Sequence, residues 1–228
     1  ALTMPDNVRL YDLPGAPHFN FWGDTAKDTA TCNYSSNPIS PAPVLRALTV
    51  AMEEWIADGV APPDSVYPGL NGSGLVDLEE FRMPEMVDGA PQPKFNQLRV
   101  MNHDTIPATE GEPYAARVPE IDEDGIAQVG IKLPYIAAPV GTYMGWNVRS
   151  DGFAAGELCS LTGSYIPFPE QPSETETRAP LSERYADERA YEEAMSEAAR
   201  GLVEQRLMLD SDVSLVVDAA PSLTLSTQ

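Results

Sequence analysis

Residues 40–63 constrain the fold of this chain more tightly than any other stretch. Ser40 is a good N-cap, Pro41 suits the first helical position, and Pro43 still lies within the first turn. Val44, Leu45, Leu48, Met52, Trp55 and Ile56 then recur at three- and four-residue spacing, which predicts a helix with one broad apolar stripe. Gly59 is placed to end it, and Pro62-Pro63 forbid continuation. Such a stripe needs a core to lie against. The chain has 228 residues, 43% of them hydrophobic, enough for one sizeable domain or part of a larger one.

Either side of this helix the pattern changes. Val8, Leu10 and Tyr11 form an apolar stretch that reads as a strand. Pro14-Gly15-Ala16-Pro17 stops it and delivers His18 onto an irregular loop, which runs through Phe19, Phe21 and Trp22 to about Pro38. From 64 to 170 prolines are scattered throughout, so short strands and loops are expected. Ala116 to Leu133 reads as a hairpin turning at Asp122-Glu123-Asp124-Gly125. That acidic turn lacks the ligand spacing of a calcium loop and reads as solvated. Residues 169–180, PEQPSETETRAP, read as a polar linker. Beyond them Leu181, Tyr185, Tyr191, Met195, Ala198, Leu202 and Leu207 follow a helical spacing with a break near Asp187, and a short helix is expected over 213–219.

The charge balance excludes whole classes of partner. There are 14 Lys plus Arg against 35 Asp plus Glu, a formal net charge of −21. Such a field repels phosphate backbones and anionic lipid surfaces, so neither a nucleic acid nor a membrane is an expected partner. Acidity of this degree also serves solubility in salty surroundings. No run approaches the roughly 18 apolar residues that span a bilayer, and ALTMPDNVRL shows no signal peptide. Cys32 and Cys159 fit either one long-range disulfide or two buried thiols. The sequons at Asn33 and Asn71 arise too easily by chance to decide anything.

Few residues can carry chemistry. With two histidines, His18 and His103, and two cysteines at no short spacing, a metal centre is not expected. Gly69–Gly74 (GLNGSG) lacks the lysine of a phosphate loop, and no cofactor is expected. A serine hydrolase presents its nucleophile in G-x-S-x-G, which this sequence does not contain. His18 nevertheless follows an apolar stretch and precedes a long amphipathic helix, as the base does in the chain order Ser, acid, His. A hydrogen-bonding loop histidine is the plainer reading of that residue.

Four stretches in order carry a resemblance: VRLYDLPGAPH (8–18), SPAPVLRALTVAMEEWIADGVAPP (40–63), GTYMGWNVR (141–149) and LTGSYIPF (161–168). With the SERY-type tail at 182–185, the chain resembles a poorly characterised, mostly bacterial family, the α/β-hydrolase domain-containing proteins. In that family these motifs form the C-terminal portion of a longer polypeptide. The resemblance implies an α/β fold, of which residues 1–63 would be the C-terminal core segment: last sheet strand, His loop and covering helix. Residues 64–170 would be a β-rich extension and 171–228 a helical tail.

It further implies a serine hydrolase acting on a small-molecule ester through an acyl-enzyme, with His18 as general base. The nucleophile and acid would come from the N-terminal portion of the same polypeptide, or from its cleavage product. Tyr143, Trp146 and Asn147, in a Gly-punctuated aromatic and polar cluster, are candidate substrate-binding residues; core packing is the alternative for Tyr143 and Trp146. A different class stays open: a non-catalytic acidic binding or accessory chain, or an inactive hydrolase-like protein.

Overall fold

A computed structural model describes residues 4–19, 31–69, 73–86, 89–93, 95, 98–221 and 223; Phe21, Trp22 and Asn71 lie outside them. The opening stretch is not the strand its apolar residues suggest. Tyr11 makes one parallel bridge with Val66. The Asp12 amide donates to Val66 O (2.8 Å) and the Val66 amide to Leu10 O (2.9 Å). Pro14 cuts this ladder on one side and Pro63 and Pro68 bound it on the other, so it cannot lengthen.

Helix α1 spans Ala42–Asp58, with Pro41 as its cap residue and the Ser40 hydroxyl accepting from the Ala42 amide. It ends at Gly59 in the left-handed conformation, whose amide, with that of Val60, reaches back to the Trp55 and Glu54 carbonyls. The buried side is not the whole predicted stripe. Val44, Ala47 and Ala51 are buried, whereas Leu45, Met52 and Ile56 are 53%, 50% and 79% exposed. The helix has two apolar sides, and the core takes the one whose small alanines let the backbone approach. Tyr11 Oη closes the far end onto Pro63 O (2.6 Å), and the Arg9 guanidinium lies over Trp55.

The middle of the chain is built from short strands in antiparallel pairs. β1 (Leu75–Asp77), β2 (Arg99–Asn102), β3 (Thr109–Pro113) and β4 (Arg117–Pro119) are followed by a one-turn helix α2 (Pro134–Ala137), β5 (Gly141–Met144) and β6 (Ser164–Pro167). β1 pairs with β4, β2 with β3, and β5 with β6. Among the described residues these pairs do not join into one sheet. The expected hairpin over 116–133 shrinks to its turn and one bridge, Ile121 to Ala127, because β4 pairs with β1 instead. The turn is well made: Asp122 Oδ1 accepts the amides of Asp124 and Ile126, both at 3.0 Å.

The tail is helical, with α3 (Leu181–Arg184), α4 (Glu188–Glu204) and α5 (Val213–Asp218). Asp187 breaks and restarts it, its carboxylate capping the Ala190 amide at 2.8 Å. Helix α4 lays Tyr191, Met195, Ala199 and Leu202 into a core against α2 and α5. That core also takes Ile39 and Val44 from before and within α1, and Ile126, Leu133 and Tyr143 from the middle. A smaller cluster gathers Phe81, Met83, Val118, Met144 and Ile166.

The stretch 169–180 differs from a free linker. Arg178 and Glu176 are buried together, joined Nε to Oε1 at 2.6 Å and Nη2 to Oε2 at 2.9 Å. Arg178 also donates to Thr142 Oγ1 and to the carbonyls of Ile166 and Pro167. The polar run is thereby fastened to the β5–β6 pair. The acidic turn is likewise anchored: Asp124 takes Arg184, and both guanidinium groups lie over Phe168. Cys32 and Cys159, left open by the sequence, form a disulfide with Cα atoms 5.7 Å apart.

A tyrosine cluster fills the centre, Tyr143 stacked on Tyr165 (centroids 5.0 Å) and Tyr185 edge-on to Tyr191. Burial pushes Tyr135, Tyr165 and Tyr185 up to about 12 and raises Tyr143 and Tyr191 as well. Free phenols ionise near pH ~10. The fold thus favours the neutral form, and this stability, complete below pH ~10, is lost as pH rises towards ~12. Absorbance at 295 nm and circular dichroism followed together should show these phenols ionising as the protein unfolds; ionisation with the fold intact would contradict their burial.

Candidate active site

His18 is held by backbone geometry. Gly15 adopts a left-handed φ of 70°, and a Cβ there would stand 2.8 Å from Tyr143 O. Gly145 mirrors it, since its Cβ would meet Ala16 O at 3.0 Å. The two glycines let the 15–16 loop rest directly on β5 and the residue after it, an approach side chains would prevent. Buried Asn37 clips the same two segments, its Nδ2 donating to Gly15 O (2.6 Å) and to Met144 O (3.0 Å). Its Oδ1 accepts the Ile39 amide (2.9 Å). Pro17 is buried and His18 exposed. On the far side the Phe19 amide donates to Leu161 O (2.9 Å), and the Phe19 ring stands edge-on to the imidazole at 4.7 Å.

Beside this loop lies a cavity of about 220 Å³. Its walls are Leu13 to Ala16, Phe81, Phe95, Val118, Ile121, and Tyr143 to Trp146, with Asp12 contributing the one ionisable carboxylate among the described residues that line it. Ala16 is a wall residue, and two peptide units place the His18 Cα at most about 7.6 Å from its own. Burial raises the Asp12 carboxyl above the usual carboxylate range, and a hydrogen bond from the Leu13 amide opposes that shift.

The GTYMGWNVR residues divide by task. Tyr143 is a buried core residue that also takes part in the cavity wall. Trp146 lines the cavity, and its Nε1 is buried with no acceptor among the described residues. Asn147 lies off the cavity and is fully buried. Its Nδ2 donates to the carbonyls of Tyr34 (2.9 Å) and Gly163 (3.1 Å), and its Oδ1 accepts the Val148 amide. It therefore stitches the disulfide-bearing segment to the chain entering β6. The sequence offered no sign that Asn37 clips the His18 loop, or that Asp12, Phe81 and Phe95 wall the cavity that Gly15 and Ala16 of this loop also line.

The family model described as an alpha/beta hydrolase domain matches residues 4–218. The chain belongs to that family. No curated protein and no solved structure matches it. The match runs from before the His18 loop to the last turn of α5, so loop, cavity and helical tail all belong to this alpha/beta hydrolase domain. Membership supports the α/β class and points to hydrolase activity.

Because Asn37 satisfies two carbonyls and one amide in a buried position, Asn37→Ala should lower the free energy of unfolding by about 3 kcal/mol. Urea titration followed by circular dichroism reads this directly. A loss below about 1 kcal/mol would mean that the clip is replaceable.

Proposed function

We propose that the chain is part of a serine hydrolase of carboxylic esters, in which His18 is the general base. The observation that carries this reading is an exposed imidazole on a rigidly seated loop, beside an apolar cavity, in a chain of hydrolase family. The nucleophilic serine and the acid that orients the imidazole come from the N-terminal portion of the polypeptide, free or still joined. The exposed side of α1, with Leu45, Met52 and Ile56, supplies an apolar face for that portion to cover.

In this reading His18 takes the serine proton as the oxygen attacks the ester carbonyl. It returns that proton to the departing alcohol, leaving an acyl-serine. Water then attacks the acyl group, giving its proton to His18, and the serine recovers it as the acid product leaves. Rigid seating matters because an imidazole displaced by about 1 Å forfeits roughly a hundredfold in rate. Tyr143 and Trp146 bound the substrate, while Asn147 holds the framework behind them.

A second reading, a non-catalytic binding chain, draws on the β2–β3 pair, whose residues are almost all exposed and whose connection carries fully exposed Ile106. Hydrolysis of p-nitrophenyl acetate by the assembled protein separates the two. His18→Ala should lower kcat by about 10²–10⁴-fold with the fold unchanged. Equal activity in wild type and variant, or none in either, favours the binding chain.

A further inference from the structure

Residues 151–161 lie between β5 and β6, and of these only Cys159 is buried. Its neighbours Leu158 and Leu161 are 55% and 47% exposed, and Ser160 turns through a left-handed φ of 55°. Backbone bonds tie this exposed stretch to 147–149, among them the Cys159 amide to Asn147 O and the Arg149 amide to Glu157 O, both at 2.8 Å. The disulfide fastens it to a different part of the chain, at Cys32. Cys32 is itself held, since it bridges Arg149 and the Asn33 amide donates to Val148 O (2.9 Å). Two residues beyond Cys159, Leu161 O accepts the Phe19 amide at 2.9 Å. Two peptide units put the Leu161 Cα within about 7.6 Å of the Cys159 Cα. The residue after His18 is thus anchored to a carbonyl that sits next to the bridge.

We infer that the Cys32–Cys159 disulfide is a positioning element for His18: it fixes Leu161 O, and through the Phe19 amide it fixes the outer side of the His18 loop. This role rests on the hydrolase reading of His18. The inner side of the loop is seated by Gly15 and Ala16 against Tyr143 and Gly145. The outer side depends on a carbonyl in an exposed stretch, and exposed backbone hydrogen bonds open locally at low free energy. A covalent bridge between two buried sulfurs does not open in that way. Without it the imidazole is held from one side only. His18 has two duties that differ in what misalignment costs. Taking the serine proton serves every ester alike. Returning a proton matters for an alcohol, a poor leaving group, and hardly at all for p-nitrophenolate, which departs as the anion. A misaligned base therefore costs alkyl esters more than p-nitrophenyl esters.

The test compares the assembled, oxidised protein with a Cys32→Ala, Cys159→Ala double variant. Wild type reduced by dithiothreitol, which gives each sulfur a proton and leaves as its own cyclic disulfide, is measured beside them. On loss of the bridge, kcat/KM for ethyl butyrate should fall at least about tenfold further than kcat/KM for p-nitrophenyl butyrate. The ratio of the two does not depend on how much of the protein is folded. General destabilisation lowers both esters by one factor, and an unchanged ratio overturns the inference. Hydrogen exchange reads the geometry without catalysis. The Phe19 amide should be protected in the oxidised protein and lose that protection without the bridge, while the Met195 amide within α4 stays protected. A Phe19 amide that exchanges at the free-peptide rate in the oxidised protein overturns the inference whether or not the double variant folds. His18-dependent hydrolysis with an unchanged ester ratio rejects the positioning role alone. Loss of Phe19 protection with no His18-dependent hydrolysis keeps the mechanical link and rejects the hydrolase reading.

Discussion

Two backbone segments touch where side chains would keep them apart, and much of the structure is arranged around that contact. The carbonyls of Tyr143 and Ala16 lie where a Cβ on Gly15 or Gly145 would intrude. Close packing of this kind is strong only if the polar groups trapped in it are paired. Asn37 supplies the pairing, one amide spanning Gly15 O and Met144 O. A third glycine, Gly163, permits the same approach just before β6, where a Cβ would collide with Met144 O. The His18 loop is therefore seated by backbone contacts, which have less freedom to drift than side-chain packing.

The remaining scaffold shows how a strongly acidic chain uses its few cations. Arg178, Arg184, Arg46 and Arg206 each join segments distant in sequence or lock a polar stretch onto the core. Arg178 and Glu176 are the extreme case, buried as a bidentate pair with the guanidinium's other hydrogens spent on Thr142 and two carbonyls. A buried pair of this sort adds little net stability but costs about 3–5 kcal/mol when one partner is removed, so it specifies position more than it strengthens the fold. The Cys32–Cys159 disulfide closes a span of 127 residues. A loop of that length restricts the unfolded chain by about 5 kcal/mol in the chain-entropy account. It also ties down the chain beyond the His18 loop.

Legibility varied with the range of the interaction that decided each element. Helix α1 was readable because its cap, its prolines and its terminal glycine act within a turn or two. The same holds for the restart of the tail at Asp187 and for the Asp122 turn. The buried side of α1 was not readable, since Leu45, Met52 and Ile56 are as apolar as the residues chosen over them. Strand pairing was misjudged for the same reason: β4 had two possible partners, and loop closure favoured the local one on paper while packing chose β1. The polar stretch 169–180 misled because composition measures average solubility and says nothing about a single Arg–Glu pair that the β5–β6 surface can satisfy.

For the site, the sequence by itself determined that a histidine follows a proline-braced turn, that glycines punctuate the Tyr143–Trp146 stretch, and that the chain carrying them is strongly acidic. Those are local facts of covalent geometry and charge, and they survive any packing. Only the tertiary structure decided that Gly15 faces Tyr143, that Asn37 joins them, that Phe81 and Phe95 wall a cavity beside His18, and that Asn147 serves the framework. Each of these depends on two segments more than 20 residues apart meeting at van der Waals distance, and no periodicity along one segment encodes which partner it will meet.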